Sequence, residues 1–312
     1  MTQPPPYPGM PTGPAPGWVF PVFELAMYIL FLFCLIHAWR QGSRSVAYLL
    51  GGLCFGVLLE YMEVAMYSYS YGNFWVMIGK FPITVPLCIG VGWGIIMYSA
   101  RQFTDRLGLA LWVCAALDTL LAINIDLSMD TVACRLHMWN WNWGDPKINT
   151  LTKQWFGIPY ANFVGWQTVV FCFSAFSRLF ERTKLKAVLI AVLALLSSLF
   201  VLYATEEWLF PVLNKTGITS GYRFSGLTVI FVIIVLFGWR KRLSTKSVMP
   251  AVAWWVPGWF HLFFFICFWI FGFYTGQPWM TIAACMNLLI GVLLHYRPLF
   301  SGFNEKRSKG ER

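Results

Sequence analysis

Carboxyl side chains inside long apolar segments are the residues of this chain that could do chemistry. Eight of its thirteen acids lie within or at the edge of such segments: Glu24, Glu60, Glu63, Asp118, Asp126, Asp130, Glu206 and Glu207. An ionisable group is costly in hydrocarbon, so an acid placed there predicts a functional site. Glu60 and Glu63 are three residues apart, and Asp126 and Asp130 are four apart. On helices, the members of each pair share a face.

Two carboxyl groups held close together in apolar surroundings divide their protons unequally, so one stays a neutral acid while the other is an anion. Such a pocket could protonate a substrate and stabilise the cation that forms. The remaining acids have simpler explanations. Glu206 and Glu207 end a segment and can face water, Glu24 lies near a segment end, and Asp118 can hydrogen-bond between helices.

The segments that must position these acids are membrane spans. The chain is 58% hydrophobic and 12% charged, with a mean hydropathy of +0.61. Runs of about 20 apolar residues indicate transmembrane helices. The sequence therefore predicts an all-α, polytopic helical bundle over residues 18–300, with about nine spans near 18–39, 46–67, 82–100, 107–129, 159–180, 186–210, 223–239, 251–273 and 279–296.

The basic residues lie mostly on one side of this topology. One set of loops holds 17 of the 23 Lys and Arg residues. The positive-inside rule then predicts an outer N-terminus and a cytoplasmic C-terminus in a multi-pass protein of the cell (inner) membrane. The basic groups would contact lipid rather than nucleic acid. Residues 1–17 form a Pro-rich tail predicted to be disordered, and 301–312 a basic cytoplasmic tail.

Two predicted outer loops resemble each other. Residues 67–72 read YSYSYG and are followed by Pro82 and Trp93, whereas residues 139–144 read WNWNWG and are followed by Pro159 and Trp166. In each loop, a proline is expected to open the returning span. The pattern indicates an internal duplication in which spans 2–3 and 4–5 are equivalent hairpins. The alternative is two aromatic belts at one membrane interface.

Nothing in the sequence calls for a cofactor. The four histidines do not pair at metal-ligand spacing, the eight cysteines form no CxxC motif, and there is no nucleotide-binding glycine motif. We therefore expect neither a metal nor a cofactor.

Residues 126–133 (DLSMDTVA), 139–141 (WNW) and 155–166 (WFGIPYANFVGW) resemble the membrane family of carotenoid biosynthesis that includes the CruF-type hydratases. The resemblance covers roughly residues 50–180. It implies hydration of the terminal C1–C2 double bond of a linear carotenoid to a tertiary alcohol. The partners would be a long polyene lipid and other enzymes of that pathway.

Alkene hydration needs a neutral acid, a group that stabilises the tertiary cation, and water. We expect Glu60 or Asp126 to donate the proton, and Asp130 or Glu63 to be the counter-charge or the base. The predicted substrate-binding residues are Tyr69, Tyr71, Trp143, Asn162 and Trp166. The alternatives are a carotenoid end-group cyclase that uses the same protonation, and a carotenoid-binding protein or transporter without catalytic activity.

Overall fold

The computed structural model describes residues 16–142, 154–240 and 249–309, with side chains described as far as residue 295. The helices are α1 (Val19–Gln41), α2 (Ser43–Ala65), α3 (Leu87–Thr104), α4 (Leu111–Arg135), α5 (Tyr160–Phe180), α6 (Ala187–Ala204), α7 (Phe210–Lys215), α8 (Ser220–Trp239), α9 (Val252–Ile270) and α10 (Pro278–Lys309). A π-helical turn, Thr205–Leu209, joins α6 to α7.

The predicted polytopic helical bundle is confirmed. In the part of the chain that the structure describes, eight helices are long and apolar enough to cross a membrane, with α6, the π-helical turn and α7 counted as one helix, Ala187–Lys215. Helix α3 corresponds to the remaining predicted span. It has 18 residues and is almost wholly buried by its neighbours, so its environment is protein rather than lipid.

Short strands follow the helices that carry the acids. They are β1 (Tyr69–Tyr71), β2 (Met77–Lys80), β3 (Ile83–Pro86), β4 (Trp139–Trp141), β5 (Gln154–Trp155) and β6 (Ile158–Pro159). We call the end of the bundle that holds these strands the acid end. The opposite end, where the last turns of α3 and α5 carry Arg101 and Arg178, is the arginine end.

Three helix boundaries differ from the sequence prediction. The third span was predicted to start at residue 82, but residues 83–86 form β3, the second strand of the β2–β3 hairpin, so Pro86, not Pro82, precedes α3. Helix α4 continues to Arg135 and carries both Asp126 and Asp130. Helix α10 runs on through Lys309, into the segment predicted to be a tail. The first 15 residues lie outside the described part of the chain.

The two similar loops pair with each other. Strands β1 and β4 are antiparallel, with Tyr69 opposite Trp141 and Tyr71 opposite Trp139. Two residues beyond the ends of α2 and α4, the backbone adopts the left-handed conformation, at Tyr67 with φ 60° and at His137 with φ 56°. A strand follows each of these residues. The equivalent positions are therefore 70 residues apart, so the match is Tyr69 with Trp139. The sequence alignment, which set residues 67–72 against 139–144, is shifted by two residues from this match because it relied on the aromatic residues alone.

Helices α2 and α3 approach closely through glycines. A Cβ atom at Gly56 would lie 2.4 Å from Cβ of Trp93, and one at Gly52 would lie 3.2 Å from Cα of Gly94. Real Cβ atoms essentially never show the first distance, and the second is tighter than nine in ten of their contacts, so the spacing depends on the missing side chains. The glycines thereby bring the Trp93 ring against the helix that carries Glu60.

Charged side chains at the arginine end tie three helices together. Arg178 Nη1 lies 2.7 Å from Asp118 Oδ2, and its Nη2 lies 2.8 Å from Asp105 Oδ1. Arg101 forms the reciprocal pair with Glu181, with Nη2 and Oε2 2.6 Å apart. Asp118, predicted to hydrogen-bond between helices, is therefore half of a buried ion pair between α4 and α5.

Candidate functional site

Glu60 lies at the centre of the acid end. It is 6% exposed. Its Oε2 accepts hydrogen bonds from the Tyr69 and Tyr71 hydroxyl groups, and its Oε1 accepts one from Trp93 Nε1 at 2.7 Å. A carboxylate can accept several hydrogen bonds, so both oxygens of Glu60 are satisfied without water.

Asp126 and Asp130 form a second group one helical turn apart on α4. The Asn162 amide bridges them, with Nδ2 3.2 Å from Asp126 Oδ2 and 2.6 Å from Asp130 Oδ2. Asp130 Oδ1 accepts a further hydrogen bond from Trp139 Nε1 at 2.8 Å. Asp126 is 0% exposed, and its Oδ1 has no hydrogen-bond partner among the described residues.

A cavity of about 40 Å³ separates Glu60 from Asp130. It is lined by Phe23, Glu60, Tyr69, Tyr71, Cys88, Ile89, Gly92, Trp93, Ile96, Met129, Asp130, Trp139, Trp141, Asn162, Trp166 and Phe260. We call it the acid chamber. Its lining, as far as the structure describes it, contains no Lys, Arg or His. A polar cavity of this size has room for water.

Aromatic residues make up half of the chamber lining. Trp93 and Trp166 stack with ring centroids 3.8 Å apart, and Tyr69 meets Trp141 edge-on at 4.6 Å. The stacked pair joins α3 to α5, and the edge-on pair joins β1 to β4. Ring faces carry negative quadrupole density that attracts cations. The chamber therefore combines carboxyl groups with surfaces that favour positive charge.

The structure brings most of the predicted site residues together. Glu60, Tyr69, Tyr71, Asp130, Asn162 and Trp166 line the acid chamber, and Asp126 lies behind Asn162 without lining it. Glu63 is half-buried on α2, outside the lining and within electrostatic range of Glu206. Trp143 lies outside the described residues.

Three tryptophans that line the chamber were not predicted as site residues: Trp93, Trp139 and Trp141. A spacing signal existed for Trp139, since it follows Asp130 by nine residues, as Tyr69 follows Glu60. In both repeats the residue nine positions after the acid donates a hydrogen bond to it. Aromatic residues are also expected at membrane interfaces, so their presence in these loops did not by itself indicate a hydrogen bond to the acid.

The acids for which the sequence suggested a simpler explanation do not line the acid chamber. Glu24 Oε2 accepts a hydrogen bond from the backbone amide of Trp75 at 2.6 Å, and its Oε1 accepts from that of Val76 at 3.0 Å. Glu24 thus holds the loop before β2. Glu206 and Glu207 are exposed. No cluster of three or more His, Cys, Asp or Glu side chains suited to a metal ion occurs within the described ranges.

The strand tyrosines keep their protons over a wide pH range. Burial, reinforced by the negative charge of Glu60, raises the pKa of both Tyr69 and Tyr71 well above the ordinary value. They therefore remain hydrogen-bond donors to Glu60. An anion with fixed donors, a paired acid and a π-rich wall can together supply a proton and stabilise a cation.

Comparisons with known proteins give a family but no activity. No curated protein and no solved structure matches the chain. Residues 18–292, which include every helix that contributes to the acid chamber, match a family described as a domain of unknown function, DUF7802. The chain is therefore a member of the DUF7802 family.

Proposed function

We propose that this protein is a cofactor-free acid catalyst that hydrates a carbon–carbon double bond of an unsaturated isoprenoid lipid in the membrane. The observation that carries the proposal is the acid chamber, where two separate carboxyl groups face each other across aromatic rings with no basic side chain in the described lining. The sequence resemblance supplies the substrate class, a linear carotenoid with a terminal trisubstituted alkene.

The Asp126–Asp130 pair is the proton source in this proposal. Asp126 and Asp130 are both buried, and the described lining of the chamber has no basic side chain. Ionising both carboxyl groups there would be costly, so the pair carries one proton. Asp130 faces the chamber and Asp126 does not. Asp130 is thus the donor, whereas the sequence had suggested Glu60 or Asp126. Asn162, which contacts one oxygen of each aspartate, fixes their relative orientation.

Glu60 is the counter-charge. Its three hydrogen-bond donors favour a fixed anion over an acid that gives up a proton. Proton transfer from Asp130 to the less substituted alkene carbon breaks the π bond and leaves a tertiary cation, which Glu60 and the stacked tryptophans stabilise. A water molecule then forms the C–O bond. Its proton returns to the aspartate pair, so the site is restored.

Hydration is preferred to cyclisation because the chamber has room for water beside Asp130. The chamber volume of about 40 Å³ is too small for the end group of a polyene in addition to water. Entry of the substrate therefore requires wall side chains to move. A binding protein would instead need a preformed cavity that matches its ligand.

The test is expression of the full chain in a host that accumulates a linear carotenoid, followed by mass spectrometry of the pigments. We expect products heavier by one water, and in D₂O a carbon-bound deuterium. Because general acids contribute about 10²–10⁴-fold to rate, Asp130→Asn should lower product formation by that order. Glu60→Gln should lower it as well. Glu207→Gln, an exposed acid at the same end, is the matched control.

Two results would contradict hydration, and a third would contradict the assignment of Asp130. Cyclised products of unchanged mass that carry deuterium would assign the same acid to a cyclase. Unaltered pigment that copurifies with the protein would assign a binding role. Undiminished hydration in Asp130→Asn would remove Asp130 as the donor.

A further inference from the structure

Gly92, in the middle of α3, faces the acid chamber. It is buried and belongs to the chamber lining. Cys88 and Ile96, one helical turn before and one after it, line the same chamber. Because residues four apart share a face of a helix, Gly92 lies at the centre of the α3 face that meets the cavity. It is the one position of that face without a side chain.

The other two glycines of α3 serve close packing. A Cβ atom at Gly90 would lie 2.3 Å from Val57 Cγ2, and one at Gly94 would lie 3.0 Å from the backbone nitrogen of Leu53. Both glycines therefore let α3 approach α2. A Cβ atom at Gly92 would meet nothing closer than 3.8 Å, which is ordinary van der Waals contact. Packing between helices does not require a glycine at this position.

The space in front of Gly92 has the size of one methyl group. The atoms nearest to an added Cβ would be Met27 Sδ at 3.8 Å and Phe260 Cζ at 3.9 Å, from α1 and α9. Carbon atoms attract each other best at about 3.5–4.0 Å, so a methyl carbon at this place would touch both side chains. We call this space the Gly92 notch. A thioether and a phenyl ring bound it, so it is apolar.

The notch lies on the apolar side of the chamber, since Glu60 and Asp130 come from α2 and α4 instead. Glycine weakens a helix relative to alanine, because its backbone loses more conformational freedom on folding. Alanine would fit at this position without displacing a neighbour, and its methyl group would fill the notch. Room in the chamber is therefore what glycine provides here and alanine would remove.

We propose that the Gly92 notch holds one methyl group of a terminal isopropylidene group, and that Gly92 thereby selects substrates whose double bond ends in two methyl groups. This inference rests on the proposed hydration, in which the carbon that bears these methyl groups becomes the tertiary cation. The methyl groups and both alkene carbons lie in one plane, so a methyl group held in the notch also restricts the orientation of the double bond toward Asp130. Gly92 determines specificity and transfers no proton.

The experiment measures binding separately from chemistry. Two linear polyenes of equal conjugated length, one with isopropylidene ends and one with unbranched ends, are titrated into the full-length protein in nanodiscs. Binding is followed by quenching of tryptophan fluorescence, because Trp93 and Trp166 line the chamber. One methyl group in an apolar pocket is worth about tenfold or more in affinity, so the wild type should prefer the branched polyene by that factor.

Gly92→Ala should lose this preference, because its own methyl group occupies the notch. We expect binding of the branched polyene to weaken by about tenfold, and binding of the unbranched one to change by less than about twofold. Hydration of the branched polyene, measured by mass spectrometry, should fall in parallel. The melting temperature should stay equal or rise, since alanine is the better helix former.

Two further glycines provide the controls. Gly165→Ala on α5, outside the chamber lining and with nothing within 4 Å of its added Cβ, should bind both polyenes as the wild type does. Gly90→Ala should lower the melting temperature, because its Cβ would overlap Val57. An equal fall in Gly92→Ala would show that Gly92 also serves packing, and would overturn the proposal.

The binding data can contradict the notch without reference to the reaction. Wild-type protein that binds neither polyene, or binds both equally, would overturn the proposal, and so would unchanged binding in Gly92→Ala. A wild type that shows the expected preference, lost in Gly92→Ala, but releases no hydrated product would support the notch and contradict the proposed hydration.

Discussion

Glu60 and Asp130 occupy equivalent positions in the two repeated hairpins, yet their surroundings differ. Glu60 accepts hydrogen bonds from three side chains on β1 and α3, whereas Asp130 accepts from Trp139 and from an amide that it shares with Asp126. In the proposed mechanism the first environment holds the anion, and the second divides one proton between two acids. The difference in partners, rather than in residue type, separates their proposed roles.

The strand tyrosines give the first prediction at this scale. Because burial and the charge of Glu60 raise the pKa of Tyr69 and Tyr71 in the folded state, their neutral forms stabilise the fold most below the ordinary tyrosine pKa of about 10. Above that pH the unfolded tyrosines ionise first, so the free energy of unfolding should fall. Chemical denaturation of the purified protein across this range measures the fall.

The control for that prediction is the double variant Tyr69→Phe/Tyr71→Phe, in which the loss of stability above about pH 10 should be smaller than in the wild type. A wild-type stability that is constant through this range, or a slope unchanged in the double variant, would show that these two hydroxyl groups do not titrate as proposed.

Asp118 gives the second prediction. It is 1% exposed and pairs with Arg178, which is itself buried. Asp118→Asn leaves the guanidinium with less compensating charge and should lower the free energy of unfolding by about 3–5 kcal/mol. Thermal or denaturant unfolding in detergent measures it. The matched change Glu207→Gln, at an exposed acid, should cost little, and similar losses in both variants would contradict this account.

At the residue scale the sequence predicted the acids and the strand tyrosines of the chamber. Burial of carboxyl groups in hydrocarbon is so costly that their positions alone indicate a site. The sequence could not show which of Glu60 and Glu63 lines the chamber, because a spacing of three residues leaves both on the same side of an ideal helix. Which acid reaches the chamber depends on the neighbouring helices.

Among the elements, α2 and α3 show how tightly the chamber wall is built. A Cβ atom at Gly56 would overlap Trp93, and Trp93 in turn stacks on Trp166 and donates to Glu60. The position of the Glu60 carboxylate therefore depends on a glycine one turn earlier on the same helix. The sequence gives no sign of this contact, since Gly is also common in transmembrane helices for other reasons.

Gly56→Ala tests this contact. The added methyl group should force α2 and α3 apart, lower the free energy of unfolding by about 1–3 kcal/mol and reduce activity at the chamber. Gly165→Ala on α5 is the matched control, because nothing lies within 4 Å of its added Cβ atom. There the change should be neutral or stabilising by up to about 1 kcal/mol. A cost in the control equal to that at Gly56 would refute the packing argument.

The strands were the elements that sequence patterns predicted least well. The three-residue strands β1 and β4 have too few residues for an alternating pattern. The β2–β3 hairpin replaced a predicted helix start because Pro82 was taken as the first helical turn. Its partner Pro159 does precede α5, as predicted. Local proline signals alone do not distinguish a helix start from a hairpin turn.

For the molecule as a whole, the charge asymmetry predicts which end faces which compartment. The acid end should lie outside and the arginine end in the cytoplasm. Single cysteines at Asn73 and Lys184, both exposed and at opposite ends, test this in a background without the native cysteines. A membrane-impermeant thiol reagent applied to intact cells should label Asn73→Cys at once, and Lys184→Cys only after the membrane is permeabilised. The reverse pattern would invert the orientation.

The antiparallel pairing of β1 with β4 has a consequence for the history of the chain. Two hairpins that meet through equivalent strands resemble two subunits of a symmetric dimer joined into one polypeptide. In such a pair both halves begin with the same side chains. Here the positions that match Asp126 and Asn162 are Gly56 and Ile89, so one half has lost, or never acquired, the second acid and its amide. Under the proposed function the two halves would then differ in role: one would supply the fixed anion and close packing, and the other would supply the exchangeable proton.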